Sequence, residues 1–406
     1  MNPNRVFITA VGMATPLGNT AEKSYNALLA GECGVGKHPD ASIDKQVGFI
    51  REPLVIDASP SQLRSMDRVA LVAQYAADQA LAAAGLGAAQ LRECGVFVGT
   101  GIGGVSSLSE AIEIHHGLAP RRTFLVVPSV MPNAATAQIA QTIKTTAEAQ
   151  TYTTACSAGA VAIGEAFRRI RDGYLDVAIA GGTESMLTET IVTAWKQLHV
   201  LSAELTEDGS AGGCRPFSAR RSGFVLAEGA AMLVLESEVH ARARDAVVIA
   251  EVVGYGVSND GTHPLRPDDE GQALAMSRCL SDAGLTPGDI DYINAHGTGT
   301  LVGDRIETSA IKRVFGDWAK DVPISSIKGA LGHTIGAAGA IEAAVTALSL
   351  QRAQVPPTIF FEAGDEECDL DYVPNVSREL PGLRTALSNS FGMGGNNAVL
   401  AFKAAA

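Results

Sequence analysis

Apolar residues follow two alternating rhythms along this chain. Runs such as Val6-Phe7-Ile8, Val96-Phe97-Val98, Val177-Ala178-Ile179-Ala180 and Tyr292-Ile293 are short and continuous, and each leads into a polar or small-residue turn. Runs of this kind read as strands of a sheet covered on both faces. Between them the apolar spacing widens to three and four residues. Ala160, Ile163, Phe167 and Ile170 form one such stripe, and Leu63, Met66, Val69, Ala73, Ala76 and Leu81 another. The first stripe predicts a helix with Arg168, Arg169 and Arg171 in its last turn and Gly173 beyond its end. The second predicts one long helix capped by Ser59-Pro60 and ended by Gly85. A shorter helix is predicted from Thr20 to Ala30, an irregular or extended stretch over 33–57, and a Gly/Ser-rich surface loop over 203–223.

The order of elements then recurs. Strands are predicted over 228–236 and 247–253, a helix over 271–283, a strand over 290–294, a helix over 304–315 and a strand over 323–326. A long amphipathic helix follows, with Ile341, Val345 and Leu348 on its buried face, and a strand–turn–strand closes the chain. Two similar passes of strand and helix predict an α/β fold built from duplicated halves, with a site where the halves meet.

Composition narrows the function. A chain of 406 residues, 46% of them hydrophobic, is long enough for one large core or two fused halves. A net charge of −13 with no basic run argues against nucleic-acid binding. Six scattered cysteines without a C-x-x-C pair point away from a disulfide framework and a zinc site, and fit a reducing cytoplasm. The N-terminus lacks the basic start and apolar core of a signal peptide, and no run approaches the length of a membrane span.

The chemistry centres on Thr154-Ala155-Cys156-Ser157-Ala158-Gly159, where a β-leaning run turns into the first helical stripe. A thiol there meets the unpaired N–H groups and positive dipole end of a helix, which lower its pKa and hold a developing oxyanion. The competing reading is a buried cysteine packed beside small residues. His296 and His333 each lie in a Gly/Ala-rich turn after a buried strand, which leaves room for a ligand. One cysteine and two histidines also suit a metal in principle, but they lack the short paired spacing of zinc sites, so no metal is expected. Gly99-Thr100-Gly101-Ile102-Gly103-Gly104 satisfies G-x-G-x-x-G after a strand. Without an acidic residue at the usual distance these glycines read better as a tight turn than as a dinucleotide cradle. Arg64 and Arg68 lie off the buried stripe of their helix, either as a solvated face or as a basic spot for an acidic partner.

The chain resembles the β-ketoacyl-acyl-carrier-protein synthases of the elongating type, in the thiolase superfamily. The resemblance runs from Val6-Phe7-Ile8-Thr9 to Phe402 and rests on Thr154–Gly159, Asn294-Ala295-His296-Gly297-Thr298-Gly299-Thr300, Gly303-Asp304, Lys328 with Gly332-His333, and Asn389-Ser390-Phe391-Gly392. It implies a thiolase-like fold in five layers, αβαβα, with a first half over 1–245 carrying the nucleophile and a second over 246–406 carrying the histidines. It implies a Cys156-His296-His333 triad supported by Lys328 and Glu342. Thr298 and Thr300 would hold the pantetheine arm, and Phe391 would gate the site and share an oxyanion hole with the Cys156 N–H. Ile102 and Trp195 would line the acyl pocket, although Trp195 also reads as core packing. Arg64, Arg68 and Lys196 would dock an acidic carrier protein.

The activity so implied is decarboxylative condensation of an acyl thioester on Cys156 with a malonyl thioester. The substrates ride on an acyl carrier protein's phosphopantetheine, with no further cofactor. A homodimer, or a heterodimer with a related subunit, is implied as well. Gly299 replaces a serine usual in fatty-acid elongation, Met393 a phenylalanine, and Asn396-Asn397 a Thr-Asn pair. These departures point to a type II polyketide or polyene pathway. The alternatives are housekeeping fatty-acid elongation and a non-condensing acyltransferase or decarboxylase.

Overall fold

The computed structural model describes residues 4–120, 125–202 and 213–405. The first ten residues of the surface loop predicted over 203–223 therefore lie outside the described residues. Five strands come from the first half: β1 (Val6–Ala14), β2 (Gly95–Gly99), β3 (Ala149–Tyr152), β4 (Val177–Glu184) and β5 (Gly229–Ser237). Five come from the second: β6 (Ala250–Asn259), β7 (Tyr292–Asn294), β8 (Ile324–Ser325), β9 (Thr385–Gly392) and β10 (Asn396–Ala404). They join in the order β8-β7-β9-β10-β6-β1-β5-β4-β2-β3. Read outward from the β1–β6 contact, the two halves repeat one topology. Each central pair is antiparallel, each hairpin is antiparallel, and the two outer pairings are parallel.

Helices complete the layers. α1 (Arg68–Ala84) and α2 (Ala134–Ile143) cover the outside of the first half. α4 (Asp269–Ala283) and α5 (Gly303–Phe315) cover the outside of the second. Between them α3 (Ala158–Arg171) and α6 (Ala338–Arg352) pack on each other and touch strands of both halves. The result is the thiolase-like arrangement αβαβα. The two middle helices approach closely because each starts with a glycine. A Cβ on Gly159 would lie 2.8 Å from Ala340 N, and one on Gly339 2.9 Å from Ala160 N.

Two expectations are corrected, and the extended stretch over 33–57 gains a pairing. The helix predicted from Ser59 to Gly85 is broken. A short turn, Pro60–Arg64, precedes α1, because the buried Asp67 caps α1 at Val69 N and also accepts from Ser107 N at 2.7 Å. Leu63 is consequently 42% exposed instead of lying on the buried stripe. α6 is not amphipathic, since Ala338 to Leu350 are buried on every side, as its central place requires. Within 33–57, Val35–Lys37 and Gln46–Gly48 form a small antiparallel ribbon.

Candidate active site

Cys156 sits in a sharp strand-to-helix elbow. β3 ends at Tyr152, Ala155 takes φ +52°, Ala155–Ser157 make a single 3-10 turn, and α3 begins at Ala158. A non-glycine residue in that region costs about 1–3 kcal/mol and persists only when its surroundings hold it. Here they do, because β2 passes directly behind the elbow. A Cβ on Gly99 would fall 2.3 Å from Ala158 O, and one on Gly104 1.9 Å from Ser129 O. The glycines of the Gly99–Gly104 stretch are thus used for close backbone approach.

His296 follows β7, on a turn held by two buried acids of α5. Glu307 accepts from His296 N at 2.8 Å and from Gly297 N at 2.7 Å. Asp304 accepts from Gly299 N at 3.0 Å and from Phe217 N at 2.6 Å. Sequence reasoning missed both roles; their i, i+3 spacing at the start of a helix was the available signal. His333 is fixed by its N–H to Val225 O at 2.7 Å, and its Nδ1 accepts from Ile335 N at 3.3 Å. Its Nε2 lies 3.1 Å from Cys156 Sγ. One ligand atom from each of Cys156, His296 and His333 falls within a 4.8 Å cluster. Three donors so close could take a soft cation. The buried Lys328, with Nζ 3.4 Å from His296 Nδ1, opposes a second positive charge there.

Lys328 also donates to His296 O and to Glu342 Oε1, and Lys328 and Glu342 are 1% and 2% exposed in their side chains. These contacts fix both tautomers. An ammonium only donates, so His296 Nδ1 is unprotonated and its Nε2 carries the hydrogen. The Ile335 N–H sets the same tautomer on His333. Burial, reinforced by Lys328, holds both imidazoles well below their ordinary pKa, so both are neutral N–H donors near neutral pH.

The thiol departs from expectation. Burial pushes Cys156 up to about 11, although the Met393 N–H and Lys328 pull it down. Alkylation of Cys156 by iodoacetamide should therefore keep rising from pH 7 to pH 10. A plateau below pH 8 in the rate profile would contradict this reading. Phe391, expected as the gate, lines the chamber and packs its ring edge-on to His296 at 6.0 Å, and Met393 lines the chamber beside it.

A cavity of about 330 Å³ opens onto the triad and is lined by Cys156, His296, His333, Thr298, Thr300 and Phe391, among others. Thr298 Oγ1 and Thr300 Oγ1 lie 3.0 Å apart on its wall. Ile102 and Trp195 are not among its lining residues. Trp195 donates to Met186 Sδ at 3.3 Å and packs edge-on to Phe224, which in turn packs edge-on to His333 at 5.0 Å. Ile102 is 40% exposed. Arg64 is exposed, but Arg68 is held by two hydrogen bonds to the buried Glu228, which also accepts from Ile50 N and Ser185 Oγ. Lys196 pairs with Asp44. Arg68 thus neutralises a buried carboxylate while its own side chain stays 41% exposed, and Lys196 has a partner of its own. Substituting Arg68 with Met should lower stability by about 1–3 kcal/mol in urea denaturation, because Glu228 loses its counter-ion.

Comparison with known proteins agrees with this architecture. Residues 3–241 match the family described as "Beta-ketoacyl synthase, N-terminal domain", and residues 249–362 its C-terminal counterpart. The chain belongs to the β-ketoacyl synthase family and is an acyl-transferring condensing enzyme. It is 43% identical over 407 residues to nodulation protein E of Rhizobium meliloti, covering 98% of this chain and 99% of that one. It is 39% identical over 409 residues to 3-oxoacyl-[acyl-carrier-protein] synthase 2 of Staphylococcus aureus, covering 98% of each. Among solved structures, a type II polyketide acyl-carrier protein in complex with its ketosynthase bound to the hexaketide aligns over 100% of both chains, with a TM-score of 0.91 and 31% identity.

Proposed function

We propose that this enzyme condenses an acyl chain held on Cys156 with a malonyl unit delivered by an acyl carrier protein. The observation that carries it is the convergence of Sγ with two neutral imidazoles, both offering Nε2–H to one buried point. In the first half-reaction Sγ attacks the acyl thioester and the Cys156 proton leaves with the departing pantetheine thiol, so no net base is consumed. The N–H groups of Cys156 and Met393 hold the transient oxyanion. In the second, the malonyl thioester loses CO2 and the electron pair moves into its thioester carbonyl. The Nε2–H groups of His296 and His333 bear that enolate charge. The carbanion carbon then attacks the acyl carbonyl, and the Cys156 thiolate departs and takes a proton from solvent. Lys328 keeps both imidazoles neutral, and Glu342 balances Lys328.

In this reading Thr298 and Thr300 hold the pantetheine arm, and Arg64 contributes to carrier docking. Trp195 and Ile102 bound the acyl channel, with Ile102 covered by a second subunit. Ile112, Leu118, Leu125 and Val127 are exposed, and β3 is an edge strand of the sheet, which together support a dimer on the first half. The halves divide at 245/246. Six free cysteines, with no helix among the described residues long and apolar enough to cross a membrane, support a cytoplasmic place.

Mass spectrometry of carrier-bound products from purified acyl and malonyl carriers tests the reaction. A β-ketoacyl product extended by one acetyl unit is expected, whereas free malonate-derived acetyl carrier alone would favour a non-condensing enzyme. For the pathway, Gly299 favours a polyketide or polyene role: it takes φ +75° and turns beside Cys214 and Arg215, where a side chain would crowd. Preference for unsaturated or keto-bearing acyl chains is expected, and equal use of saturated chains would favour fatty-acid elongation. Reversing charge with Arg64→Glu should raise KM for the carrier-borne substrate several-fold and leave Cys156 alkylation unchanged. An unmoved KM would place docking elsewhere.

A further inference from the structure

The mechanism above leaves one fully buried carboxylate without a task. Glu184 ends β4, and among the described residues no cation pairs with it. Its oxygens accept from Gly101 N at 2.6 Å, Gly336 N at 3.1 Å and Thr100 Oγ1 at 3.3 Å, and the Ile102 N–H also points to it. Every partner is a donor. A Cβ on Gly101 would lie 2.5 Å from Oε2, and one on Gly336 2.7 Å, so the backbone closes tightly on the acid.

The duplication explains the setting. Gly336 holds in the second half the place that Cys156 holds in the first. Each is the middle residue of a one-turn 3-10 helix whose first residue has positive φ, Ala155 at +52° and Ile335 at +43°. Each turn leads straight into a central helix, α3 or α6. Unpaired N–H groups at such a start bind anions. At the first turn the nucleophile stands there; at the second the Gly336 N–H donates to Glu184 Oε2.

Gly336 adjoins Ile335, whose N–H selects the His333 tautomer. On its other side the same carboxylate grips the loop that carries Ile102. We propose that Glu184 is a positioning residue, clamping the His333 turn to the Gly99–Gly104 loop so that His333 Nε2–H stays aimed at the enolate. This rests on the function proposed above. The clamp serves decarboxylation rather than loading of Cys156, because the loading nucleophile stands on the other elbow.

Glu184→Gln keeps the side chain's length but turns an NH2 toward backbone N–H donors. Nitrogen-15 NMR of histidine-labelled protein should show an unprotonated Nδ1 on His333 in the wild type and a tautomer mixture in the variant. The kcat for malonyl-carrier decarboxylation should fall about tenfold, as for a buried donor left without its acceptor. KM for that carrier and the rate of Cys156 acylation should stay within about twofold. Thr100→Val removes one donor without adding another, and should slow decarboxylation about threefold with the same spared acylation. The proposal is overturned if Glu184→Gln leaves the His333 signature and decarboxylation unchanged, or if both half-reactions fall together. It is overturned equally if Thr100→Val has no effect. A wild type that does not decarboxylate malonyl carrier would sink the proposed function, whereas the NMR signature would still report on the clamp.

Discussion

Replacing Cys156 with alanine should abolish condensation, with a fall of at least about 10³-fold in product formation. No acyl-enzyme can form, so mass spectrometry of the protein after incubation with acyl carrier should show no adduct. The two half-reactions separate cleanly in this variant. Both imidazoles and Lys328 remain in place, so release of CO2 from malonyl carrier should persist. The alanine is smaller than the cysteine and sits in a turn already held by β2 and α6, so the elbow should keep its shape. A variant that still forms β-ketoacyl product at a rate near that of the wild type would remove Cys156 from the reaction.

Substituting His296 with alanine should lower decarboxylation by about 10²–10³-fold, the usual effect of removing one donor from a developing oxyanion. Cys156 acylation should change far less, because backbone N–H groups at the elbow, not the imidazoles, hold the acylation oxyanion. His333→Ala should lower decarboxylation to a similar extent, with Cys156 acylation again the less affected step. The two single variants should be non-additive, since both hydrogens serve one oxygen. The wild-type rate should hold across neutral pH and fall at acid pH only when the imidazoles begin to protonate. Their depressed pKa values put that point well below the ordinary histidine range. Radiolabelled CO2 release, measured beside single-turnover acylation, distinguishes these outcomes. Equal losses in both steps for His296→Ala would mean that the imidazole supports the fold rather than the enolate.

Much of the site was legible before any coordinates. Glycine and alanine around His296 and His333 marked turns with room for a ligand, and the switch of period at Cys156 marked an elbow. What could not be read were the properties that arise from enclosure. The helix-start argument lowers the thiol's pKa, but burial outweighs it, and burial is set by residues from β9 and α6 far along the chain. Met393 joins Phe391 on the chamber wall because the hairpin turn after β9 folds back over Cys156. Arg68 looked free because its partner Glu228 is distant in sequence. Asp67 broke a helix that periodicity had made continuous, through a bond to Ser107 that no local pattern announces.

The amino-acid order on its own determined the alternation of strands and helices, the doubled plan, and the residues able to carry acyl-transfer chemistry. These follow from local period and side-chain type, which neighbours along the chain suffice to express. Only the folded chain decided how the halves share one sheet, which tautomers the histidines adopt, how strongly the sulfur holds its proton, and which N–H groups Glu184 receives. Those depend on desolvation and on hydrogen bonds, some within one turn and others between segments more than a hundred residues apart, whose geometry exists only once both halves have closed around α3 and α6.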